Sequence, residues 1–263
     1  MSFAGALKRA RRGVDRYGFA TFAKEATLRP LHPVLAPLAG RRLRRRAELA
    51  PGVDALIELA FEFDDFGISI EPGQVRSEIR GLLEILRERP RSRVLEIGTA
   101  NGGSLFLIAH SVAPDARLIS VDLPQGEFGG GYPAWKIPLY KGFAQRRQRL
   151  DLIRGDSHAP ATLERVRRLL DGSKLDFLFI DGDHTYDGVR QDFEAYSPLV
   201  RSGGLVGFHD IAPPSAAAVA EGGPTLLVGE VPQFWSEIRT QYPSKELVDP
   251  AAGGYFGIGL IRV

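Results

Sequence analysis

Four acids stand at or beside the ends of short apolar runs in this 263-residue chain. They are Glu96 in Arg93-Val-Leu-Glu-Ile-Gly98, Asp122 in Arg117-Leu-Ile-Ser-Val-Asp122, Asp156 in Leu152-Ile-Arg-Gly-Asp156 and Asp181 in Leu175-Asp-Phe-Leu-Phe-Ile-Asp181. Two histidines join them, His184 in Asp181-Gly-Asp-His184 and His209 in Gly207-Phe-His-Asp210. An imidazole at a strand tip beside two acids can take a proton from a substrate hydroxyl, which makes His184 and Asp181 the candidate catalytic pair. The chain has no cysteine, so disulfides, thiolate metal ligands and cysteine nucleophiles are excluded.

Apolar runs and amphipathic stretches alternate from Arg93 onward, which predicts a parallel sheet with right-handed crossovers. In the first unit Gly98, Gly102 and Gly103 break the run into a tight turn, and Ser104 is placed to cap the helix continued by Leu105, Phe106, Ile108 and Ala109. A helix N-terminus at such a turn favours a ligand. A dinucleotide site would need G-x-G-x-x-G, and here the spacing is Glu96-x-Gly98-x-Ala100-x-Gly102. Asp122, 24 residues beyond Gly98, is positioned to accept hydrogen bonds from the ribose hydroxyls of an adenosyl ligand. The insertion from Leu123 to Phe143 reads as a lid able to bring Tyr132 and Trp135 over the site, or as an Ω-loop packed by its own aromatics. Lys245–Asp249 and Tyr255–Val263 are strands joined by so short a turn that they must be antiparallel.

Ahead of the first core strand, helices are expected over 53–65 and 74–87 as a cap on the crevice. Residues 1–50 hold twelve Lys or Arg against three Asp or Glu, leaving the remainder at −7 within a net charge of +2. Such an arm is expected to be a solvated helical extension. It could also lie on an anionic membrane as a peripheral contact; nucleic acid is disfavoured because no aromatics interleave the arginines. No run reaches membrane-spanning length and no secretory signal is evident, which predicts a cytoplasmic protein.

The E-x-G-x-x-x-G-x-S turn from Glu96 to Ser104 resembles the first motif of the class I S-adenosylmethionine-dependent methyltransferases. From about Val94 onward the chain resembles a subgroup related to antibiotic sugar O-methyltransferases and cephalosporin hydroxylase-like proteins. The resemblance implies a doubly wound, seven-stranded, mostly parallel α/β sheet with an antiparallel last strand, a Rossmann-like methyltransferase fold, plus an N-terminal helical extension. Residues 1–90 would form the basic arm and helical cap, and 91–263 the cofactor-binding domain. It implies S-adenosylmethionine held by Glu96, Gly98, Thr99, Ala100, Gly102, Ser104, Asp122, Asp156, Ser157 and Asp181. Asp156 would bind the adenine amino group. It also implies a divalent metal, magnesium first, held by Asp181, His209 and Asp210, with His184 as base. His209 stands where the family commonly has another acid, which weakens a magnesium site or shifts it toward a softer ion.

The expected reaction is methyl transfer to a hydroxyl of a small polyhydroxylated or glycosylated molecule. A hydroxylase using His184, His209 and Asp210 around iron is the alternative in another enzyme class, and a non-catalytic binding protein that keeps the cofactor fold is a third. A homo-oligomer is left open. Asp183 and Asp187 are placed to orient His184 or to cap the following helix, and His158 reads as a helix-capping neighbour.

Overall fold

Strands that must be buried on both faces carry apolar side chains at every position, and those of the central sheet here point alternately into two separate cores. The computed structural model describes residues 28–125, 131–213, 229–252 and 256–263. In chain order the elements are a 3₁₀ turn (Arg29–Leu31), α1 (His32–Glu48), α2 (Val53–Glu62), β1 (Asp64–Asp65), β2 (Ile68–Ser69), α3 (Arg76–Arg87), β3 (Arg93–Ile97), α4 (Gly103–Ala109), β4 (Arg117–Asp122) and α5 (Ile137–Tyr140). There follow β5 (Arg149–Arg154), α6 (Pro160–Leu170), β6 (Leu175–Ile180), α7 (Tyr186–Tyr196), β7 (Val200–Ala212), α8 (Val231–Ile238), β8 (Ser244–Leu247) and β9 (Phe256–Arg262).

Seven strands form one sheet in the order β5-β4-β3-β6-β7-β9-β8. All neighbours are parallel except β9, which runs antiparallel to both β7 and β8. The expected mixed sheet is therefore present, with its reversed strand inserted next to the edge. Val94, Leu118, Phe177 and Phe179 face one core, shared with α1 to α5. Leu95, Ile119, Leu178 and Ile180 face the other, shared with α6, α7 and α8. This period of two is what fixes each strand's register against its neighbour.

The first core takes in the N-terminal helices. Ala36, Ala39, Leu43 and Ala47 of α1 are buried in the same apolar cluster as the sheet residues. His32 packs at a tilt against Trp135, with ring centroids 5.1 Å apart, and its Nε2 lies 3.1 Å from the Phe66 carbonyl. Arg44 donates to the carbonyls of Lys141 and Gly142, which satisfies the end of α5. The second half of the expected solvated extension is thus a docked helix; Lys8, Arg9, Arg11, Arg12 and Arg16 lie outside the described residues. Glu78 of α3 reaches the far edge, where its carboxylate accepts the N–H groups of Asp249 and Gly257 at 2.9 and 3.1 Å.

The 123–143 insertion differs from the expected lid. Tyr132 is buried edge-on against Tyr140 at 4.8 Å, and Phe143 packs on Tyr140 and Phe106. Aromatics expected over the site instead pay for the ordering of this segment by burial, in the manner of a self-packed loop. Residues 126–130 lie outside the described ones, as does the Tyr255 start of the last strand. No helix among the described residues is long and apolar enough to cross a membrane.

Candidate active site

The C-terminal ends of β3 to β7 open on one edge, and the turn after β3 sets their spacing. Gly98 has φ +88°, and a Cβ there would collide with the carbonyl of Asp181. The missing side chain lets the tips of β3 and β6 meet, fastened by the Asp181 N–H to the Ile97 carbonyl at 2.8 Å. Gly102, also left-handed, is the N-cap of α4. Ser104 is inside the helix and caps nothing, contrary to expectation. The turn is braced from outside: Tyr140 donates its hydroxyl to the Ala100 carbonyl at 2.7 Å, and Lys136 Nζ donates to Asn101 Oδ1 at 3.2 Å. Burial draws that lysine down to about 8.

Two cavities adjoin across Gly98, Ala100 and Asp181. The smaller, about 290 Å³, is lined by Asp122, Asp156, Ser157 and His158 among others. The larger, about 620 Å³, is lined by Gln74, Thr99, Gly102, Ser104, His184, His209, Asp210 and Phe256 among others. Of the four strand-end acids, Asp122, Asp156 and Asp181 therefore border the smaller cavity.

Glu96 borders neither. It is wholly buried, and burial pushes it up to about 8, against the pull of the Ser104 and Thr99 hydroxyls beside it. Asp122 is also raised by burial. The N–H groups of Tyr132, Thr99 and Ala100 oppose that shift, so its carboxylate holds the turn as well as facing the cavity.

Asp156 accepts the His158 N–H at 2.8 Å. His158 is more than a helix neighbour. Its Nε2 lies 3.4 Å from Asp192 and 3.2 Å from the Gly188 carbonyl, and the hydrogen bond to Asp192 raises it to about 9. Sequence reasoning missed Asp192. The available signal was an acid on the inner face of an amphipathic helix, in step with Val189, Phe193 and Tyr196.

At the larger cavity Asp181 is the hub. Its Oδ2 accepts Gln74 Nε2 at 2.7 Å, and its Oδ1 lies 3.1 Å from His209 Nδ1 and 3.6 Å from His184 Nε2. Burial pushes its carboxyl up, but the two histidines outweigh burial and hold it well below the usual range. His184 Nδ1 lies 3.2 Å from Asp210 Oδ2, and the His184 carbonyl accepts the Glu230 N–H at 2.7 Å. Gln74, also missed, sits in the turn ahead of α3, where nothing in its local sequence marks it as facing Asp181.

Neighbouring residues of a regular strand point to opposite faces, yet His209 and Asp210 both enter this cluster. The cause is a bulge. β7 pairs His209 with Ile258 and then Ala212 with Phe256, two intervening residues against one, and Asp210 takes φ +61°. His209 stacks parallel to Phe256 at 5.9 Å and its Nδ1 faces both carboxylates, at 3.1 Å from Asp181 and 3.3 Å from Asp210. Burial draws His209 down, but those carboxylates prevail and raise it to about 9.

One trio among the described residues has the geometry of a cation site: donor atoms of Asp181, His184 and Asp210 lie within 4.8 Å of one another. That trio includes His184, while His209, expected as a ligand, has its Nδ1 between the two carboxylates. Helix α7 is capped by Thr185, whose hydroxyl accepts the Gly188 N–H at 3.0 Å. Asp183 accepts the Thr185 N–H and Asp187 pairs with Arg190, while the helix cap is Thr185.

Residues 95–211 match the profile of a family described as a methyltransferase domain. Residues 95–211 carry a methyltransferase domain, and the sheet order is that of the class I methyltransferase fold. The methyltransferase domain is similar in fold to TomG from Streptomyces achromogenes, an O-methyltransferase involved in tomaymycin synthesis and solved with SAM. The identity is 21%, with coverage of 80% of this chain and 88% of that one and a TM-score of 0.50. An O-methyltransferase from Bacillus cereus, solved with SAH, is 15% identical over 82% of this chain and all of that one, with a TM-score of 0.52. The uncharacterized protein y4gI of Sinorhizobium fredii is 30% identical over 159 residues, 59% of this chain. The chain spans 16% of that relative's length.

Proposed function

We propose that this chain transfers a methyl group from S-adenosylmethionine to a hydroxyl of a small polyhydroxylated molecule. The observation that carries this reading is the pair of cavities meeting at Gly98 and Asp181. The smaller would take the adenosine, with Asp122 toward the ribose and Asp156 and Ser157 toward the adenine. The larger would take the methionine end and the acceptor. The sulfonium is already a good leaving group, so the chain must supply an in-line approach and a more nucleophilic oxygen.

Asp181, His184 and Asp210 fit a divalent cation, since two carboxylates and an imidazole bring donor atoms within 4.8 Å of one another. Two carboxylates and an imidazole suit manganese, iron or zinc better than magnesium. Such a cation would supply Lewis acidity at the acceptor hydroxyl. Without it, His184 would take the hydroxyl proton directly, oriented by Asp181 and Asp210. The two uses of His184 exclude each other. Labelled methyl transfer to hydroxyl acceptors, with and without EDTA, separates them: suppression by chelation assigns His184 to the cation, and unchanged transfer makes it the base. The cofactor assignment is checked by thermal shift. S-adenosylmethionine should raise the midpoint, more so with increasing ligand concentration, while NAD should not; a shift with NAD alone would overturn it.

Glu96 is separated from the larger cavity by Thr99 and Ser104, so it would act on the cofactor's ammonium through those two hydroxyls. A neutral carboxyl that titrates near 8 must ionise to do so, so binding at pH 7 should release close to one proton. Calorimetry in buffers of different ionisation heat measures that number, and Glu96→Gln should bring it to about zero. The sign for the unliganded chain follows: the folded state keeps a proton the unfolded state loses, so this group's contribution to stability is full below about 4.5 and is lost as pH rises through about 8.

A further inference from the structure

Four large apolar side chains are exposed among the described residues, and three of them belong to α1 and its ends: Leu31 at 50%, Val34 at 77% and Leu49 at 83%. The same helix exposes Arg41, Arg42, Arg45 and Arg46. At 3.6 residues per turn, Val34, Arg41 and Arg45 fall within about 40° of one another, with Pro37 and Leu49 flanking that line. The opposite side, Ala36, Ala39, Leu43 and Ala47, is the one docked on the core.

The arginines are not equivalent. Arg42 pairs with Asp65 at 2.9 Å, and Arg46 lies over the Phe63 ring at 5.8 Å. Arg41 and Arg45 make no ion pair among the described residues. Beside the C-terminal half of the helix a cleft of about 520 Å³ is bordered by Arg44, Arg146 and Arg147, with Glu48 the one carboxylate. The 27 residues ahead of the described ones add six Lys or Arg against two acids, continuing the same sign of charge.

We propose that this outer face of α1 docks the protein on an anionic lipid membrane. Arg41 and Arg45 would meet headgroup phosphates while Val34, Leu31 and Leu49 enter the boundary of the acyl chains. Arg146 and Arg147 widen the cationic surface. Exposed aliphatic side chains set among unpaired arginines suit a lipid surface. A single-stranded nucleic acid would call for exposed aromatic platforms, and this face has none.

The test is flotation of the full chain with vesicles of phosphatidylcholine alone and of phosphatidylcholine with phosphatidylglycerol. The expected result is binding to the anionic vesicles only, weakened tenfold or more by Arg41→Glu with Arg45→Glu and several-fold by Val34→Ser with Leu49→Ser. All variants should keep the wild-type thermal midpoint and its response to S-adenosylmethionine. Equal binding to neutral vesicles would overturn the proposal. So would anionic binding untouched by either pair of changes, which would place the attraction in residues 1–27. Light scattering that shows a dimer split by the arginine changes would make the face a contact between two copies. Loss of RNA binding in a chain that never floats would make it a nucleic-acid surface.

Discussion

Asp181→Asn should lower methyl transfer by about a thousandfold or more at saturating cofactor. The change keeps the shape of the side chain and removes the negative charge on which Gln74, His209 and His184 converge. It would leave His209 raised toward its charged form only by Asp210 and the more weakly acting Glu78, and deprive His184 of one of the two carboxylates that orient it. Under either use of His184 the same carboxylate is lost, so this variant should be hit harder than His184→Ala. Asp156→Asn, at a half-exposed carboxylate on the side proposed for the adenine, should affect the cofactor's KM more than the turnover. Initial rates with labelled cofactor, alongside thermal shift to show that the cofactor still binds, give the comparison. Activity of Asp181→Asn within tenfold of wild type would remove Asp181 from the centre of the reaction.

Gly98→Ala should destabilise the fold by about 3 kcal/mol or more and abolish cofactor binding. A left-handed φ costs an L residue about 1–2 kcal/mol, and the added methyl meets the backbone carbonyl of Asp181, which cannot swing aside as a side chain would. Overpacking of that kind costs about another 1–3 kcal/mol. Gly182→Ala is the control: its methyl would press only on the Ile97 side chain at 3.1 Å, with Asp192 Oδ2 and Gly98 N at ordinary contact distances of 3.6 and 3.8 Å, and without a left-handed backbone. Its cost should stay near 1 kcal/mol. Urea midpoints of the two variants decide the matter, and equal midpoints would mean that the β3 and β6 tips can separate freely.

Much of this architecture was legible in the chain because buried parallel strands leave an unmistakable trace. Val94-Leu-Glu-Ile97 and Phe177-Leu-Phe-Ile180 can satisfy two cores only as interior strands, and an acid at the end of such a run has nowhere to go but the open edge. The antiparallel pairing of the tail followed from a turn too short for a crossover. What was hidden depends on long-range contact. The docking of α1 rests on Ala36, Ala39, Leu43 and Ala47 finding a partner far along the chain, while the arginines beside them advertise solvent. Asp210 owes its direction to a bulge set by pairing with β9, so the exchange of His184 for His209 in the cation trio could not be read from spacing. Gln74 lies in the turn ahead of α3 and Asp192 on α7, and the apolar patterns of both helices are complete without them.

The contact between Gln74 and Asp181 ties the helical front of the chain to the carboxylate proposed for the centre of the reaction. Anyone who grafts the first 90 residues of a relative onto this sheet, hoping to exchange acceptor preference alone, would also swap the group that steadies the key carboxylate. Such hybrids should show altered turnover even on an unchanged acceptor, unless the donor segment brings an amide to the same spot.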